Sequence, residues 1–368
     1  MLIFFAGSAA FEKRFPRLQP LVRNRLISYH YRAKSLEDYY LGDERSPHVE
    51  HLMMDSGAFS AWSKGAEINL DAYIEYCLKY IDAITFVVNL DVIPARPGQK
   101  KIPQEEIERS AQQGWKNAQK MLRAGIPKEK LIHVFHQNEN FHWLERMARE
   151  FDYIGLSPAN DRTTLEKQTW LDSCMPYVTD SQGFPTVKFH GFAVTALNLM
   201  LRFPWFSVDS ATWAQQAGRG AVYVPQKKQG KARYDVLPHL VRMSYNSPFE
   251  KTMDHFENYP PRIQQEFLDY FEMNEVPLGR SSCVRVDRKT GGRTPIRFCR
   301  EREGCDHSKR GPAQICQEVI EEEGLINKMD PRSYVNALFL ENLQKTMPPW
   351  PMKPFRFSAT ETNGFDIL

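Results

Sequence analysis

Two aspartate residues stand directly after short apolar segments of the chain. Asp55 follows His51–Met54, and Asp209 follows Trp205–Val208. Catalytic side chains of an α/β barrel lie at the carboxyl ends of its strands. Two carboxylates at such positions favour a pair in which one acts as acid and base and the other as nucleophile. The alternative interpretation is that each aspartate only caps the helix that follows it.

Polar residues also follow other apolar segments. Asp91 ends the fourth segment, Gln137 follows the fifth and Gly191 ends the seventh. Asp and Gln side chains can pair with the donors and acceptors of a purine-like edge, and backbone groups at a glycine can do the same. The alternatives are a loop carboxylate for Asp91 and a turn residue for Gln137. The histidines near strand ends, His30, His136 and His190, are interpreted only as pocket-lining residues.

The elements that must position these residues alternate along the chain. Helical patterns separate nine β-rich segments, which are Leu2–Ala6, Leu26–His30, His51–Met54, Ile84–Leu90, Leu131–Phe135, Tyr153–Leu156, Thr186–His190, Phe206–Val208 and Ala221–Val224. Strands that alternate with helices form a parallel sheet. Because no glycine-rich dinucleotide fingerprint follows the first strand, the pattern predicts a closed α/β barrel of the (β/α)8 type, the TIM barrel.

Three regions are expected within the 368 residues. The barrel is assigned to residues 1–232, and a helical extension with a cysteine cluster to residues 233–346. Within the extension, helices are expected at Asp235–Tyr245, Pro261–Met273, Pro312–Glu323 and Pro331–Leu343. The tail, residues 347–368, is rich in proline and is expected to lie extended against the body.

The charge distribution is uneven although the net charge is only +3. Five basic residues and no acidic one lie between Ser210 and Tyr234. Basic segments suit a polyanion such as nucleic acid, and the alternative is that they are solvated loops. No segment approaches the ~20 apolar residues of a membrane helix. We expect a cytoplasmic protein without a membrane partner.

Four of the six cysteines crowd into one stretch near the carboxyl terminus. In a chain expected to be cytosolic, such clustering favours a metal site over disulfides. Cys283, Cys299, Cys305 and Cys316 are the expected ligands of a structural zinc ion, with His307 as a substitute. An iron–sulfur cluster and unliganded thiols are the alternatives.

Several of these motifs resemble those of a known enzyme family. Asp55–Phe59 is similar to the Asp-Ser-Gly-Gly-Phe motif of tRNA-guanine transglycosylases, and Gly191–Val194 to their Gly-Leu-Ala-Val segment. The blocks Leu26–Tyr31, Asp55–Trp62 and Arg202–Ser210 resemble the branch that modifies DNA, the 7-deazaguanine DNA transglycosylases of phages and bacteria. The resemblance spans roughly residues 1–224 and includes the order Asp91, Gln137, Gly191 and Asp209.

The resemblance implies that guanine in DNA is replaced by a 7-cyano- or 7-aminomethyl-7-deazaguanine, without a nucleotide or redox cofactor. Asp209 would be the nucleophile at C1′, and Asp55 the general acid and base. The implied substrate-binding residues are Asp91 and Gln137 on the base edge, Gly191 through its backbone, Tyr29 or Phe59 by stacking, and Ser56. The implied partners are DNA, the free 7-deazaguanine base and a second copy of the chain.

Three alternatives stay open at this point. The same chemistry could act on tRNA, although the cysteines here lack the tight succession and the distant histidine of the tRNA enzymes. The barrel could bind nucleic acid without catalysis, which the presence of both Asp55 and Asp209 argues against. A base-excising glycosidase would let water resolve the intermediate.

Overall fold

The structure is a computed structural model that describes residues 1–7, 15–32, 34–42, 46–94, 99, 102–194, 196–244, 254–296, 314–351 and 353–356. The chain divides into two compact units. The first comprises residues 1–9, 19–211 and 343–368, and the second comprises residues 10–18 and 212–342. The division therefore falls between Ala211 and Thr212, whereas the sequence analysis put the end of the barrel at residue 232, and the tail joins the first unit.

The first unit contains a closed barrel of eight parallel strands, each hydrogen-bonded to the next, with the last pairing with the first. The strands are β1 (Leu2–Ala6), β2 (Asn24–Ser28), β3 (His51–Asp55), β4 (Phe86–Val88), β5 (Leu131–His136), β6 (Tyr153–Ser157), β7 (Lys188–Gly191) and β8 (Ser207–Ser210). The predicted TIM barrel is confirmed. The ninth segment, Ala221–Val224, is a strand but lies in the second unit.

Helices connect most of the barrel strands. In the first unit the described helices are α1 (Lys34–Tyr40), α2 (Ala58–Ser63), α3 (Leu70–Lys79), α4 (Gln104–Arg123), α5 (Phe141–Glu150), α6 (Thr164–Val178) and α7 (Leu197–Arg202). Their starts follow the local sequence. The Asn69 side chain accepts a hydrogen bond from the Ala72 N–H, and Thr163 forms a capping box with Glu166.

The interior of the barrel is filled by side chains from several strands. Its cluster includes Phe4, Met53, Val88, Ile132, Val134 and Tyr153. Gly155 is part of this packing, because a Cβ atom there would lie 2.3 Å from the Phe192 ring. At the amino end of the barrel, Gln344 Oε1 accepts hydrogen bonds from the Ile3 N–H at 2.7 Å and from Asn24 Nδ2 at 2.9 Å. The barrel is therefore a packed core and its chemistry must lie at a rim.

The strand register brings the polar strand ends to one rim. Ser28 pairs with Asp55 across β2 and β3, and Phe4 pairs with Asp209 across β1 and β8. His136 pairs with Ser157 across β5 and β6. Since all eight strands are parallel, these residues share the carboxyl end of the barrel.

The second unit combines helices with small antiparallel sheets. Its elements are α8 (Thr212–Gly218), β9 (Ala221–Val224), β10 (Gln226–Lys228), β11 (Lys231–Arg233), β12 (His239–Arg242), α9 (Pro261–Met273), β13 (Arg280–Asp287), β14 (Arg293–Ile296) and β15 (Gln314–Glu322). Helix α10 (Met329–Thr346) follows, and its last residues belong to the first unit. The predicted helices at Pro261–Met273 and Pro331–Leu343 are confirmed.

Two helix predictions in this unit are wrong. At Asp235–Tyr245 the apolar residues Leu237, Leu240 and Val241 have helical spacing, but β12 pairs there with β9. Pro238 cannot donate the backbone hydrogen bond that an interior helical position needs. At Pro312–Glu323 the chain forms β15, where the β-branched residues Val319 and Ile320 suit a strand that pairs along its length with β13. The extension is therefore not purely helical.

Two of the four expected zinc ligands fall on neighbouring strands. Cys283 lies on β13 opposite Glu318, and Cys316 lies on β15 opposite Arg285. Cys299, Cys305 and His307 lie outside the described residues. The other two cysteines, Cys77 and Cys174, are free and buried. The zinc prediction stays a prediction.

The described part of the tail has no helix or strand. The Phe355 N–H donates to the Gly183 carbonyl at 2.8 Å, and the Phe355 ring stacks on Phe203 at 5.5 Å between centroids. These contacts hold the tail against the first unit. Among the described helices, none has the length and apolar character that crossing a membrane would require.

Candidate active site at the carboxyl end of the barrel

The turn after β3 fixes the position of Asp55. Gly57 adopts the left-handed conformation, with φ of 79°, and its N–H donates to Asp55 Oδ2 at 3.1 Å. A Cβ atom on Gly57 would lie 2.4 Å from Ser28 Oγ and 2.5 Å from His30 Cβ, so no other residue fits there without a shift. Ser56 is buried, and its Oγ accepts the Ala58 N–H at 3.2 Å. Ser56 therefore shapes the turn.

The environment of Asp55 favours the protonated form of its side chain. Burial is the largest cause, the charges of Asp91 and Asp209 add to it, and together they raise the pKa of Asp55 to about 7. Backbone hydrogen bonds from Gly57 and Ser56 act in the opposite direction. A carboxyl group that keeps its proton near neutral pH can act as a general acid and then as a base.

Asp209 is held differently. Its Oδ1 atom accepts the Ala193 N–H at 2.7 Å and faces His190 Nε2 at 3.4 Å. Ala193 adopts φ of 50°, which is uncommon for a residue with a side chain and directs its N–H to the carboxylate. The Asp209 side chain is 14% exposed, so a ligand can reach it. A hydrogen-bond donor that orients a carboxylate suits it to act as a nucleophile.

Behind Asp209 lies a buried polar chain. His190 Nδ1 lies 2.5 Å from Ser207 Oγ, and Ser207 Oγ also hydrogen-bonds to the Tyr153 hydroxyl. All three side chains are buried, and His190 has no exposed surface. The chain joins β6, β7 and β8 beneath the carboxylate.

Asp91 forms a second polar cluster on the same rim. Its Oδ2 atom lies 2.7 Å from His136 Nε2, and both side chains are less than one-fifth exposed, at 13% and 15%. Burial lowers the pKa of His136, but the hydrogen bond to Asp91 and the charges of Asp91 and Glu139 more than offset it, and the pKa is raised. Glu139 is buried against the His136 N–H, and burial raises its pKa to about 7. The cluster gathers three titratable side chains, Asp91, His136 and Glu139, on the rim.

Gln137 and Gly191 lie close to this rim with defined partners. Gln137 Oε1 accepts the Ala159 N–H at 3.0 Å, which leaves the amide NH2 group as its donor. A Cβ atom on Gly191 would lie 2.8 Å from Val194 and 3.1 Å from the Trp205 ring. The requirement for glycine at position 191 therefore comes from packing.

The two aromatic residues expected to stack on a base differ in exposure. Tyr29 is 5% exposed, and its ring packs against Tyr73, Tyr76 and the guanidinium of Arg32. Phe59 is 48% exposed and lies 5.6 Å from the Trp62 ring. Of the two, Phe59 presents a ring face to a ligand.

A basic aromatic surface continues from Phe59. Tyr31 is 51% exposed, and Lys64 Nζ lies 4.5 Å from the centre of its ring. Exposed rings beside a cation are the groups that bind unstacked bases and the backbone of single-stranded nucleic acid. The surface lies on the segments that follow β2 and β3.

The apolar pattern predicts the positions of the candidate carboxylates on this rim but not the side chains that contact them. His136 and His190 were interpreted only as lining residues, and neither Glu139 nor Ala193 was singled out. For His190 the alternation of side chains along a strand is a usable signal. His190 pairs with Ser207 across β7 and β8, and Asp209 lies two residues after Ser207, so the three side chains share one face of the sheet. Ala193 carries no signal, because its left-handed conformation is set by tertiary contacts.

Together the rim presents carboxyl groups in contrasting environments. Asp55 is a proton-holding acid, Asp209 is an anchored carboxylate, and Asp91 is paired with His136. Pairs of carboxyl groups with such different environments divide acid and nucleophile roles between them. No protein-family model matches the chain, and no curated protein sequence matches it either.

Proposed function

We propose that the protein is a base-exchange transglycosylase that replaces guanine in DNA with a 7-deazaguanine. The observation that carries the proposal is the pairing, at one barrel rim, of a carboxyl group that holds its proton near neutral pH with a carboxylate anchored by two donors. This is the arrangement that double displacement at a glycosidic carbon requires. The motif resemblance supports the same reaction.

In the first step Asp209 attacks C1′ of a deoxyguanosine. The C1′–N9 bond breaks, its electron pair goes to guanine, and the departing base takes the proton of Asp55. An ester between Asp209 and deoxyribose remains, and Asp55 is left as a carboxylate. Burial, together with repulsion from Asp91 and Asp209, raises the pKa of Asp55 and keeps its proton available for this transfer.

In the second step a free 7-deazaguanine takes the place of guanine. Asp55 removes the N9 proton, N9 attacks C1′, and the bond between C1′ and Asp209 breaks. The strand is restored with the new base, and Asp55 again holds a proton. The reaction consumes no redox equivalent and no nucleotide.

The base edge is read by Asp91 and Gln137. His136 binds Asp91 Oδ2, so Oδ1 remains an acceptor for the N1–H and exocyclic amine of a guanine-like base. The Gln137 NH2 group supplies a donor for the carbonyl at position 6. Phe59 stacks on the base or on its neighbour, whereas the buried ring of Tyr29 supports the loop.

The DNA backbone is bound through basic residues in the second unit. The hairpin of β10 and β11 carries Lys227, Lys228 and Lys231, all exposed, and turns through Gln229 and Gly230, both with positive φ. Lys228 stands directly opposite Lys231, an arrangement of like charges that destabilises a hairpin on its own. A phosphate ligand would relieve this repulsion.

A zinc ion in the second unit forms part of the same proposal. Cys283 and Cys316 occupy diagonal positions on β13 and β15, and such backbone positions lie about 7–8 Å apart. This spacing is compatible with two ligands of one tetrahedral ion, with Cys299 and Cys305 as the others. The metal would stabilise the fold of this segment and take no part in base exchange.

Release of radiolabelled guanine tests the proposal. Purified protein is incubated with labelled DNA and, separately, labelled tRNA, with and without 7-cyano- or 7-aminomethyl-7-deazaguanine. Release from DNA that requires the added base supports the proposal. Release from tRNA alone would assign the protein to tRNA exchange, abasic sites without added base would indicate a glycosidase, and release from neither under folded conditions would leave nucleic-acid binding.

A further inference from the structure

The hydrogen-bond chain beneath Asp209 has one order of donation if Asp209 is the ionised nucleophile proposed above and the His190 ring is neutral. His190 Nε2 faces Asp209 Oδ1 at 3.4 Å, and an ionised carboxylate oxygen can only accept. The Nε2 atom must therefore carry a proton. In the neutral ring Nδ1 is then an acceptor, and the Ser207 hydroxyl 2.5 Å away must donate to it.

Tyr153 completes the chain. Because the single proton of Ser207 is used on His190, Ser207 Oγ can only accept from the Tyr153 hydroxyl. The order of donation is Tyr153 to Ser207, Ser207 to His190, and His190 to Asp209. Each of the three side chains is buried, so bulk solvent does not compete for these hydrogen bonds.

The imidazole is also held in place by rings. The Phe192 ring lies 4.4 Å from the His190 ring at 67°, and the Phe4 ring lies 6.1 Å away at 69°. Edge-on contacts on the ring restrict its rotation, so the Nε2–H direction is fixed by packing as well as by Ser207. The result is a donor with one orientation.

Both donors to Asp209 converge on one oxygen. The Ala193 N–H and His190 Nε2 both contact Oδ1, and among the described residues no donor contacts Oδ2. We propose that His190, oriented by Ser207 and Tyr153, is a positioning residue that holds Oδ1 of Asp209 so that Oδ2 is the atom that attacks C1′. This inference rests on the proposed base exchange.

The arrangement acts in both steps of the exchange. When Oδ2 bonds to C1′ and the C1′–N9 electron pair leaves with guanine, Oδ1 becomes the carbonyl oxygen of an ester. When the incoming N9 bonds to C1′, the Oδ2–C1′ electron pair returns to Asp209, and the negative charge regained by the carboxylate is stabilised by the two donors on Oδ1. A fixed donor therefore favours the departure of Asp209 as well as its orientation.

Paired substitutions at His190 test this role kinetically. His190→Leu removes the donor and retains a buried apolar group, whereas His190→Gln retains an N–H donor. We expect His190→Leu to lower kcat for base exchange by about 100-fold with little change in KM, and His190→Gln to recover about 10-fold of that loss. Equal kcat in the two variants, or a loss confined to KM, would overturn the proposal.

Deletion of a single hydroxyl provides a matched comparison. Tyr153→Phe shortens the chain that orients His190, and we expect a severalfold lower kcat. Tyr40→Phe removes another buried hydroxyl, which contacts Arg25 Nε at 3.0 Å, and we expect it to leave kcat unchanged. An equal effect of both variants on kcat would mean that Tyr153 acts only on stability, against the proposal.

The tautomer of His190 is measurable without any reaction. Protein labelled with ¹⁵N-histidine, assigned by comparison with His190→Gln, should show the neutral His190 ring protonated at Nε2. A ring protonated at Nδ1 would overturn the donation order. If wild-type protein exchanges no base but His190 is protonated at Nε2, then the proposed function fails while the hydrogen-bond assignment holds.

Discussion

Asp55 and Asp209 are the same residue type in two environments, and the difference between them is the basis of the proposed chemistry. Burial and the nearby charges of Asp91 and Asp209 outweigh the backbone N–H donors to Asp55 and raise its pKa to about 7. Asp209 Oδ1 receives the Ala193 N–H at 2.7 Å. One carboxyl group is thereby suited to carry a proton and the other to carry charge.

Replacing Asp55 should raise stability while it removes activity. Between its ordinary value of 3.8 and about 7, folded Asp55 keeps a proton that the unfolded chain releases, so its contribution makes folding less favourable as pH rises through this window. Asp55→Asn cannot ionise. We expect it to be more stable than wild type by about 1–3 kcal/mol at pH 8, with no advantage at pH 4, and to lose base exchange.

Urea unfolding at the two pH values checks this prediction. Glu139→Gln is the comparison, because burial also raises the pKa of Glu139 to about 7 and its stability difference should have the same sign. A stability difference for Asp55→Asn that does not change between pH 4 and pH 8 would show that Asp55 ionises normally.

For individual residues, the sequence could predict where the aspartates lie but not which side chains they contact. Asp55, Asp91 and Asp209 were placed at strand ends from apolar patterning alone, and the barrel puts them on one rim. The pairing of Asp91 with His136 depends on the relative placement of two strands and their loops, which no local pattern encodes. The burial of Tyr29 likewise depends on Tyr73 and Tyr76 of α3.

Among the elements, the turn between β3 and α2 is the most constrained part of the site. It carries Asp55, Ser56 and Gly57, and the positive φ of Gly57 directs its N–H to Asp55. Position 57 has no space for a Cβ atom, because Ser28 at the end of β2 and His30 just after it already occupy that space. The position of the acid thus depends on a neighbouring strand.

Substitutions at Gly57 and Gly65 separate the cost of crowding from the cost of backbone strain, because both have positive φ but only Gly57 is crowded. Gly57→Ala adds a Cβ at 2.4 Å from Ser28 Oγ, whereas Gly65→Ala, with φ of 66°, meets nothing within 4 Å. We expect Gly65→Ala to cost about 1 kcal/mol and Gly57→Ala to cost about 1–3 kcal/mol more. Base exchange should fall only in Gly57→Ala. Equal unfolding free energies for the two variants would contradict the packing argument.

Local sequence patterns predict the helices and strands of the first unit better than those of the second. The predicted alternation of strands and helices is observed in the first unit. In the second unit the same method predicted helices where β12 and β15 form. Both strands pair with segments distant in sequence, β9 and β13, and such pairing is invisible to a local period.

The whole molecule consists of a barrel unit and a second unit of helices and small antiparallel sheets, and the two units carry different candidate residues. The barrel carries the carboxyl groups, and the second unit carries the exposed basic hairpin. Among the described residues, Lys227, Lys228 and Lys231 have no ion pair, whereas Arg233 is paired with Asp235 at 2.6 Å. The lysines are therefore available to phosphate.

Charge reversal in the hairpin tests the proposal that it binds DNA. We expect Lys228→Glu to weaken binding to a DNA oligonucleotide several-fold. The slope of the logarithm of the binding constant against the logarithm of the salt concentration should fall by about 1. Lys116→Glu, at an exposed position on α4, is the control and should change neither quantity. Equal losses for the two variants in a fluorescence-anisotropy titration would assign the effect to net charge.

Metal content tests the other expectation for the second unit. Elemental analysis of the purified chain should give one zinc ion per molecule, and Cys283→Ser should lower both the zinc content and the melting temperature. Iron with sulfide in place of zinc would identify a cluster instead. Full stability in a chelator, with no metal bound, would leave the cysteines as free thiols.

The proposed nucleophile can be tested by trapping a covalent complex at Asp209. Wild-type protein is incubated with guanine-containing DNA without an acceptor base, denatured and digested, and the peptides are analysed by mass spectrometry. We expect a deoxyribose ester on Asp209 that disappears when 7-deazaguanine is added and that does not form in Asp209→Ala. Base exchange that persists in Asp209→Ala, or an ester found on Asp55, would contradict it.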